Sequence, residues 1–119
     1  MTVEDGGLDN DLATTGDNAT TSRTFDVTVN PVNDDPTLIQ PDNLTIDEDA
    51  SEQTVNLTGI TAGGGETQNL AVTAVSSNTS LIANPTVAYT SANATGTVSF
   101  TPLADKFGVS TITVTVTDG

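Results

Sequence analysis

The chemistry open to this chain is the chemistry of oxygen donors. Its 119 residues include no His and no Cys, 16 Asp and Glu, and only Arg23 and Lys106 as cations, for a formal net charge of −14. The acids are clustered. One group is Asn33-Asp34-Asp35, a second is Asp47-Glu48-Asp49, and Glu66, Asp105 and Asp118 stand singly at turns or strand ends. Carboxylates and side-chain carbonyls are hard ligands that suit Ca²⁺. Calcium is therefore the expected cofactor, with these nine residues as its candidate ligands. A plainer reading stays open beside it, in which Asp47-Glu48-Asp49 is a soluble turn and Asp34-Asp35 a polar linker. A further triplet, Asp9-Asn10-Asp11, either binds a cation or solvates its loop.

The same composition excludes several functions. With two cations, nothing can neutralise the phosphates of a nucleic acid or draw the chain to an anionic membrane. The absence of cysteine removes disulfides and thiol chemistry. Ser and Thr hydroxyls are plentiful, but no base is placed to activate one. Two carboxylates can in principle hydrolyse a glycosidic bond, yet every acidic cluster here falls on a turn without aromatic neighbours to hold a sugar. The chain reads as non-enzymatic. No apolar run spans a bilayer and no signal peptide follows Met1, so an export address is expected outside this stretch.

The elements that position the acids are organised around Asn30-Pro31-Val32-Asn33-Asp34-Asp35-Pro36. Two prolines fix φ and remove two N–H donors, which makes a stiff, extended connector. Before it, Phe25, Val27 and Val29 alternate with polar residues and predict a half-buried strand. Residues 8–23, rich in Asp, Asn, Thr and Gly, predict a long loop. After the connector, period-two patterns predict strands around Leu44 and Ile46, Val55 and Leu57, Leu70 to Ala74, Val87 and Tyr89, Val98 and Phe100, and Ile112 to Val116. Phe107 is expected to plug one end of the core. Thr2-Val3-Glu4-Asp5-Gly6 near the start matches Thr115-Val116-Thr117-Asp118-Gly119 at the end, a spacing that fits one repeat of a tandem array. The expected organisation is the end of a preceding repeat over residues 1–29, an interdomain joint over residues 30–36, and a repeat lacking its own last strand over residues 37–119.

Seven or eight short strands at near-regular spacing, with no helical period, predict an all-β Greek-key sandwich of immunoglobulin-like architecture. The hydrophobic fraction of 34%, with 3% aromatics, supports a thin core of Val, Ile and Leu. The Cys–Trp–Cys signature of antibody domains is absent.

The run from Val27 through Asn30-Pro31-Val32-Asn33-Asp34-Asp35-Pro36, followed by Leu44-Thr45-Ile46-Asp47-Glu48-Asp49-Ala50, resembles the cadherin-like, Ig-like tandem repeats of large bacterial surface adhesins. Gln53-Thr54-Val55-Asn56-Leu57-Thr58-Gly59-Ile60, Gly96-Thr97-Val98-Ser99-Phe100-Thr101-Pro102 and Ile112-Thr113-Val114-Thr115-Val116-Thr117-Asp118-Gly119 extend the resemblance over nearly the whole chain. It implies an extracellular or cell-surface spacer and adhesion module, stiffened by calcium at its junctions. Eukaryotic cadherins carry a related junction, D-x-N-D-N-x-P. This chain matches it at Asn33-Asp34, while Pro31 and Asp35 stand where that pattern has its first Asp and second Asn, so fewer ligands carry over.

Alternate loops of a sandwich lie at opposite ends. That rule predicts a near half-site of Asn33 and Asp34 with Glu66 and Asp118, and a far half-site of Asp47, Glu48, Asp49 and Asp105. The cut of the repeats also predicts an open edge beside residues 112–116, to be completed by residues 25–29 of a neighbouring copy. The expected partners are neighbouring repeats or identical copies, head to tail, in a filament or swapped oligomer, and a surface glycan or protein as adhesive ligand. The rival reading is a carbohydrate-binding sandwich, which the lack of Trp and the single Tyr89 disfavour. Asn-x-Thr sequons at Asn18, Asn43, Asn56 and Asn93 follow from the Thr- and Asn-rich composition.

Overall fold

The computed structural model describes residues 1–4 and 19–119. The chain forms two compact units, Met1–Pro31 and Val32–Gly119. The Asp9-Asn10-Asp11 triplet lies outside the described residues.

In the first unit, β1 (Thr2–Glu4) pairs antiparallel with β2 (Thr20–Ser22), setting Thr2 opposite Ser22, Val3 opposite Thr21 and Glu4 opposite Thr20. The ladder extends one step further. Met1 and Arg23 exchange backbone bonds, the Arg23 N–H donating to Met1 O at 3.3 Å and the Met1 amino group to Arg23 O at 3.4 Å. This pairing falls at the end of the stretch expected to be loop. The β-branched pair Thr20-Thr21 meets a strand edge there, and the ladder outweighs the loop-like composition. Residues 25–29, expected as a strand, form none. Phe25, Val27 and Val29 are 78%, 75% and 87% exposed. Their alternation supplies an apolar face, but among the described residues none pairs with them in the ladder that a strand requires.

The second unit holds five strands, all antiparallel. β3 (Gln53–Thr58), β6 (Thr95–Phe100) and β5 (Thr86–Ala88) form one sheet in the order β3-β6-β5. β4 (Leu70–Ser76) and β7 (Ile112–Asp118) form the other. Residues 37–39 run beside β3, through a bridge from Thr37 to Thr61 and a bond from Ile39 N–H to Thr58 O at 3.0 Å. Gly59 permits this approach: it has a φ of 69° and a Cβ there would meet Ile39 Cγ1 at 2.6 Å.

Alternation builds the core. Along β4 and β7 every second residue turns inward, so Leu70, Val72 and Ala74 face the same side as Val114 and Val116. They pack against Leu57, Ile60, Ala62 and Val98, joining the two sheets into a sandwich. Leu57 is fully buried, which stabilises the fold by about 1.5–3 kcal/mol relative to leaving it exposed. Among the described residues there is no helix.

Two local expectations differ from the structure. Residues 44–46 lie outside any strand, and Leu44 is exposed; their short alternating pattern meets no ladder partner. Phe107 does not plug the core but is 89% exposed. Leu81 and Pro102 are buried instead. An antiparallel bridge from Ile82 to Pro102 and a bond from Leu103 N–H to Leu81 O at 2.8 Å hold them, and the Asp105–Gly108 turn carries Phe107 outward.

Candidate cation site at the joint

The near end of the sandwich is assembled by three segments. The joint delivers Asn33 and Asp34. The turn closed by the Glu66 N–H donating to Gly63 O at 2.9 Å presents Glu66. The register of β4 against β7 sets Leu70 opposite Asp118, at the strand end. Gln68, two residues before Leu70, shares its face by strand periodicity and so lies beside Asp118.

These side chains meet. Asn33 Nδ2 donates to Asp118 Oδ2 at 2.8 Å, and the Asp34 N–H donates to Glu66 Oε2 at 3.3 Å. Gln68 Nε2 lies 2.7 Å from Asn33 Oδ1, 3.0 Å from Glu66 Oε2 and 3.2 Å from Asp118 Oδ2. Three oxygens, two of them from carboxylates, thus surround one nitrogen that carries two hydrogens. The Asp34 side chain lies against Gly63 and Gly64. Thr37 and Thr61 hold the same end in place: their hydroxyls are 2.7 Å apart, and Thr37 Oγ1 donates to Gly59 O at 2.8 Å.

The structure therefore brings Asn33, Asp34, Glu66 and Asp118 together. Asp35 is exposed, and its carbonyl oxygen lies against Gly63. At the other candidate site, the Asp105 N–H donates to Asp49 Oδ1 at 2.9 Å. Both residues have positive φ, 61° for Asp49 and 56° for Asp105, a conformation that Asp tolerates better than most side chains. Asp47 and Glu48 are exposed on the same turn. Among the described residues, no group of three or more acidic side chains is gathered tightly enough to form a metal-binding set. The near site is instead a mixed cluster of amides and carboxylates. Gln68 was not among the expected ligands. Its one sequence signal is the two-residue offset from Glu66 on one side and Leu70 on the other.

Elsewhere, a groove of about 490 Å³ runs between residues 39–44 and β3, lined by Ile39, Pro41, Asn43, Gln53 and Asn56 among others, with no aromatic side chain. Tyr89 packs against the core, and its hydroxyl is buried without a partner.

A sandwich of this architecture, with the joint tied to its near end, coincides with a match to the family model described as bacterial Ig domain over residues 33–119. The chain belongs to the bacterial Ig domain family. The matched span begins at Asn33 and reaches Gly119, so the Ig domain includes all four clustered residues, Asn33, Asp34, Glu66 and Asp118. No curated protein and no solved structure matches the chain significantly. Bacterial Ig domains are structural and adhesive modules, typically of surface or extracellular proteins and generally without enzymatic activity. No helix of the described residues is long and apolar enough to cross a membrane.

Proposed function

We propose that this Ig domain is a non-enzymatic spacer bead of a bacterial surface protein, stiffened by calcium where the joint meets the near end of the sandwich. One observation carries the reading: the oxygens of Asn33, Glu66 and Asp118 converge on the single nitrogen of Gln68 at 2.7–3.2 Å. Calcium takes oxygen ligands at about 2.3–2.6 Å, so an ion that displaces the Gln68 amide nitrogen would draw these oxygens slightly inward. Gln68 also carries an amide oxygen of the ligand type that calcium accepts.

Asp118, Glu66 and Asn33 would hold the ion, and Asp34 lies next to them on the joint. When bound, the ion supplies positive charge to carboxylates that otherwise face each other across an amide. The protein's contribution is placement. Asp118 is fixed by the β4–β7 register, Glu66 by the turn at Gly63, and Asn33 by the stiff Pro31 and Pro36 on either side of it in the joint. Bridging all three would pin Asn33 and the residues after it to the near end of the sandwich. Copies would also join edge to edge by strand exchange.

Calcium titration followed by thermal unfolding tests the reading. Extracellular modules bind calcium at about 0.1–1 mM. At about 10 mM calcium a site of that class adds roughly 1.4–2.7 kcal/mol, which for a domain of this size raises Tm by roughly 6–20 °C. Magnesium, which demands a tighter octahedral shell, is expected to do much less. A Tm indifferent to calcium, or a rise that survives Asp118→Asn combined with Glu66→Gln, counts against it.

A further inference from the structure

We propose that residues 84–91 form a clasp that closes the outer edge of β4, so that no strand of another molecule can pair there. The inference is independent of the calcium reading. It assigns a role to Asn84, Pro85 and Ser91, and it marks one side of the sandwich as closed to neighbouring copies.

The edge is defined by the ladder between β4 and β7. In an antiparallel pair, alternate residues direct both backbone groups toward the partner, and the residues between them direct theirs away. The Ser77 N–H donates to Thr111 O at 2.9 Å, which continues the ladder in which Ser76 stands opposite Ile112. Ala71, Thr73, Val75 and Ser77 therefore bond toward β7. Leu70, Val72, Ala74 and Ser76 direct their N–H and C=O groups to the other side, where β4 has no strand partner among the described residues. A row of such groups on a strand rich in Val, Ala and Thr is a template for strand addition.

Two side chains cap that row. Ser91 Oγ accepts from the Leu70 N–H at 2.8 Å, and Asn84 Oδ1 accepts from the Ser76 N–H at 3.0 Å. Both donors belong to the outward set, as the register requires. Leu70 and Ser76 are the two ends of β4, about 20 Å apart at the rise of an extended strand. The two bonds thus hold both ends of one segment, which runs antiparallel to β4.

The middle of that segment is β5, bonded to β6 in the other sheet. Cα atoms of β4 and β5 approach within 8 Å. A strand lying between them needs twice the usual strand spacing, about 9.5 Å, so the gap admits none unless the segment first lifts away. Pro85 is buried and has no N–H to offer an incoming strand. β5 itself has only 3 residues, and short edge strands limit pairing. The clasp therefore joins the edge strands of the two sheets across one side of the sandwich.

The consequence concerns neighbours. Strands rich in Thr and Val favour extended pairing, and identical copies set side by side present many such edges to one another. Closing the β4 side leaves any joining of copies to other parts of the surface.

Hydrogen exchange and association test the proposal on the full chain, in chelator so that the calcium site plays no part. Ser91→Ala is expected to speed exchange of the Leu70 amide, and Asn84→Ala that of the Ser76 amide, each by roughly two- to ten-fold, the factor set by one hydrogen bond. Ser91→Thr and Asn84→Asp keep an acceptor oxygen and are expected to stay near the wild-type rates. The Asn84→Ala/Ser91→Ala double variant should keep its far-UV circular dichroism but associate as concentration rises, in salt that screens the charge of −14. In the associated form the Val72 and Ala74 amides should become protected, because they face the opened edge. Unchanged exchange at Leu70 and Ser76 in the single variants overturns the clasp. A double variant that exchanges faster yet stays monomeric overturns the closing of the edge. Association that leaves Val72 and Ala74 unprotected overturns the choice of edge. Should the double variant lose its fold, the same readings on the two single variants decide.

Discussion

The Asn33 side-chain amide donates to the Asp118 carboxylate at 2.8 Å, which ties the joint to the end of β7. The span matched to the bacterial Ig domain begins at this same Asn33. Asn33→Ala removes this bond and the contact with Gln68. Both are near the surface, and such a loss costs about 0.5–1.5 kcal/mol per bond. The expected result is a Tm lower by a few degrees together with increased proteolytic cleavage at residues 30–36. Thermal unfolding and limited proteolysis measure the two effects on one variant.

Gln68→Glu inverts the balance at the same place. The wild-type amide donates to oxygens of Glu66 and Asp118. Replacing it with a third carboxylate removes the donor and adds a like charge. In chelator the variant should be less stable than wild type. In calcium it should show a larger rise in Tm than wild type, because an anionic ligand has been added to the shell. Paired melts in chelator and calcium check both signs, and a variant destabilised equally in the two conditions would remove Gln68 from the site.

These two residues also mark how far the sequence could be read. Asn33, Asp34, Glu66 and Asp118 were legible as a group because strand counting sends alternate loops to opposite ends, and all four fall at one end. Gln68 was not legible, since an amide among so many Asn, Gln and Thr residues carries no charge signal. β4 and β7 were legible because alternating Val, Ala and Ile residues sit between polar neighbours. Residues 25–29 carry the same alternation, yet form no strand. A period shows which face is apolar; a ladder needs a partner, and that partner is not written in the local sequence. Phe107 misled for the converse reason. A large aromatic near a turn suggests a plug, but the smaller Leu81 and Pro102 are anchored by backbone bonds and occupy that position.

Gly64 gives the backbone of the near site room for Asp34. Its φ is 49°, and a Cβ there would run into the Asp34 carboxylate. Gly64→Ala must hold Ala in the left-handed region, which costs about 1–3 kcal/mol, and must also push Asp34 aside. Urea unfolding should show a lower midpoint with an unchanged m-value. Gly65 provides the internal control for contact: its φ is 80° and no atom lies within 4 Å of a Cβ there. Gly65→Ala carries the conformational cost without displacing Asp34, so it should leave any calcium response intact while Gly64→Ala weakens it.

The core makes a sharp contrast between two apolar residues. Leu57 on β3 is fully buried, at the contact between the two sheets, whereas Phe107 is 89% exposed on its turn. Leu57→Ala removes buried methyl groups and leaves a cavity that a sandwich held by ladders on both sides closes poorly, a loss of about 2–5 kcal/mol. With a thin core and few aromatics, that is a large share of the stability of a domain this size, which is on the order of 5–10 kcal/mol. Phe107→Ala should change stability by less than about 0.5 kcal/mol, because it removes no buried contact. Chemical denaturation of the two variants side by side measures the difference. A Phe107→Ala loss comparable to that of Leu57→Ala would place the aromatic ring inside the core.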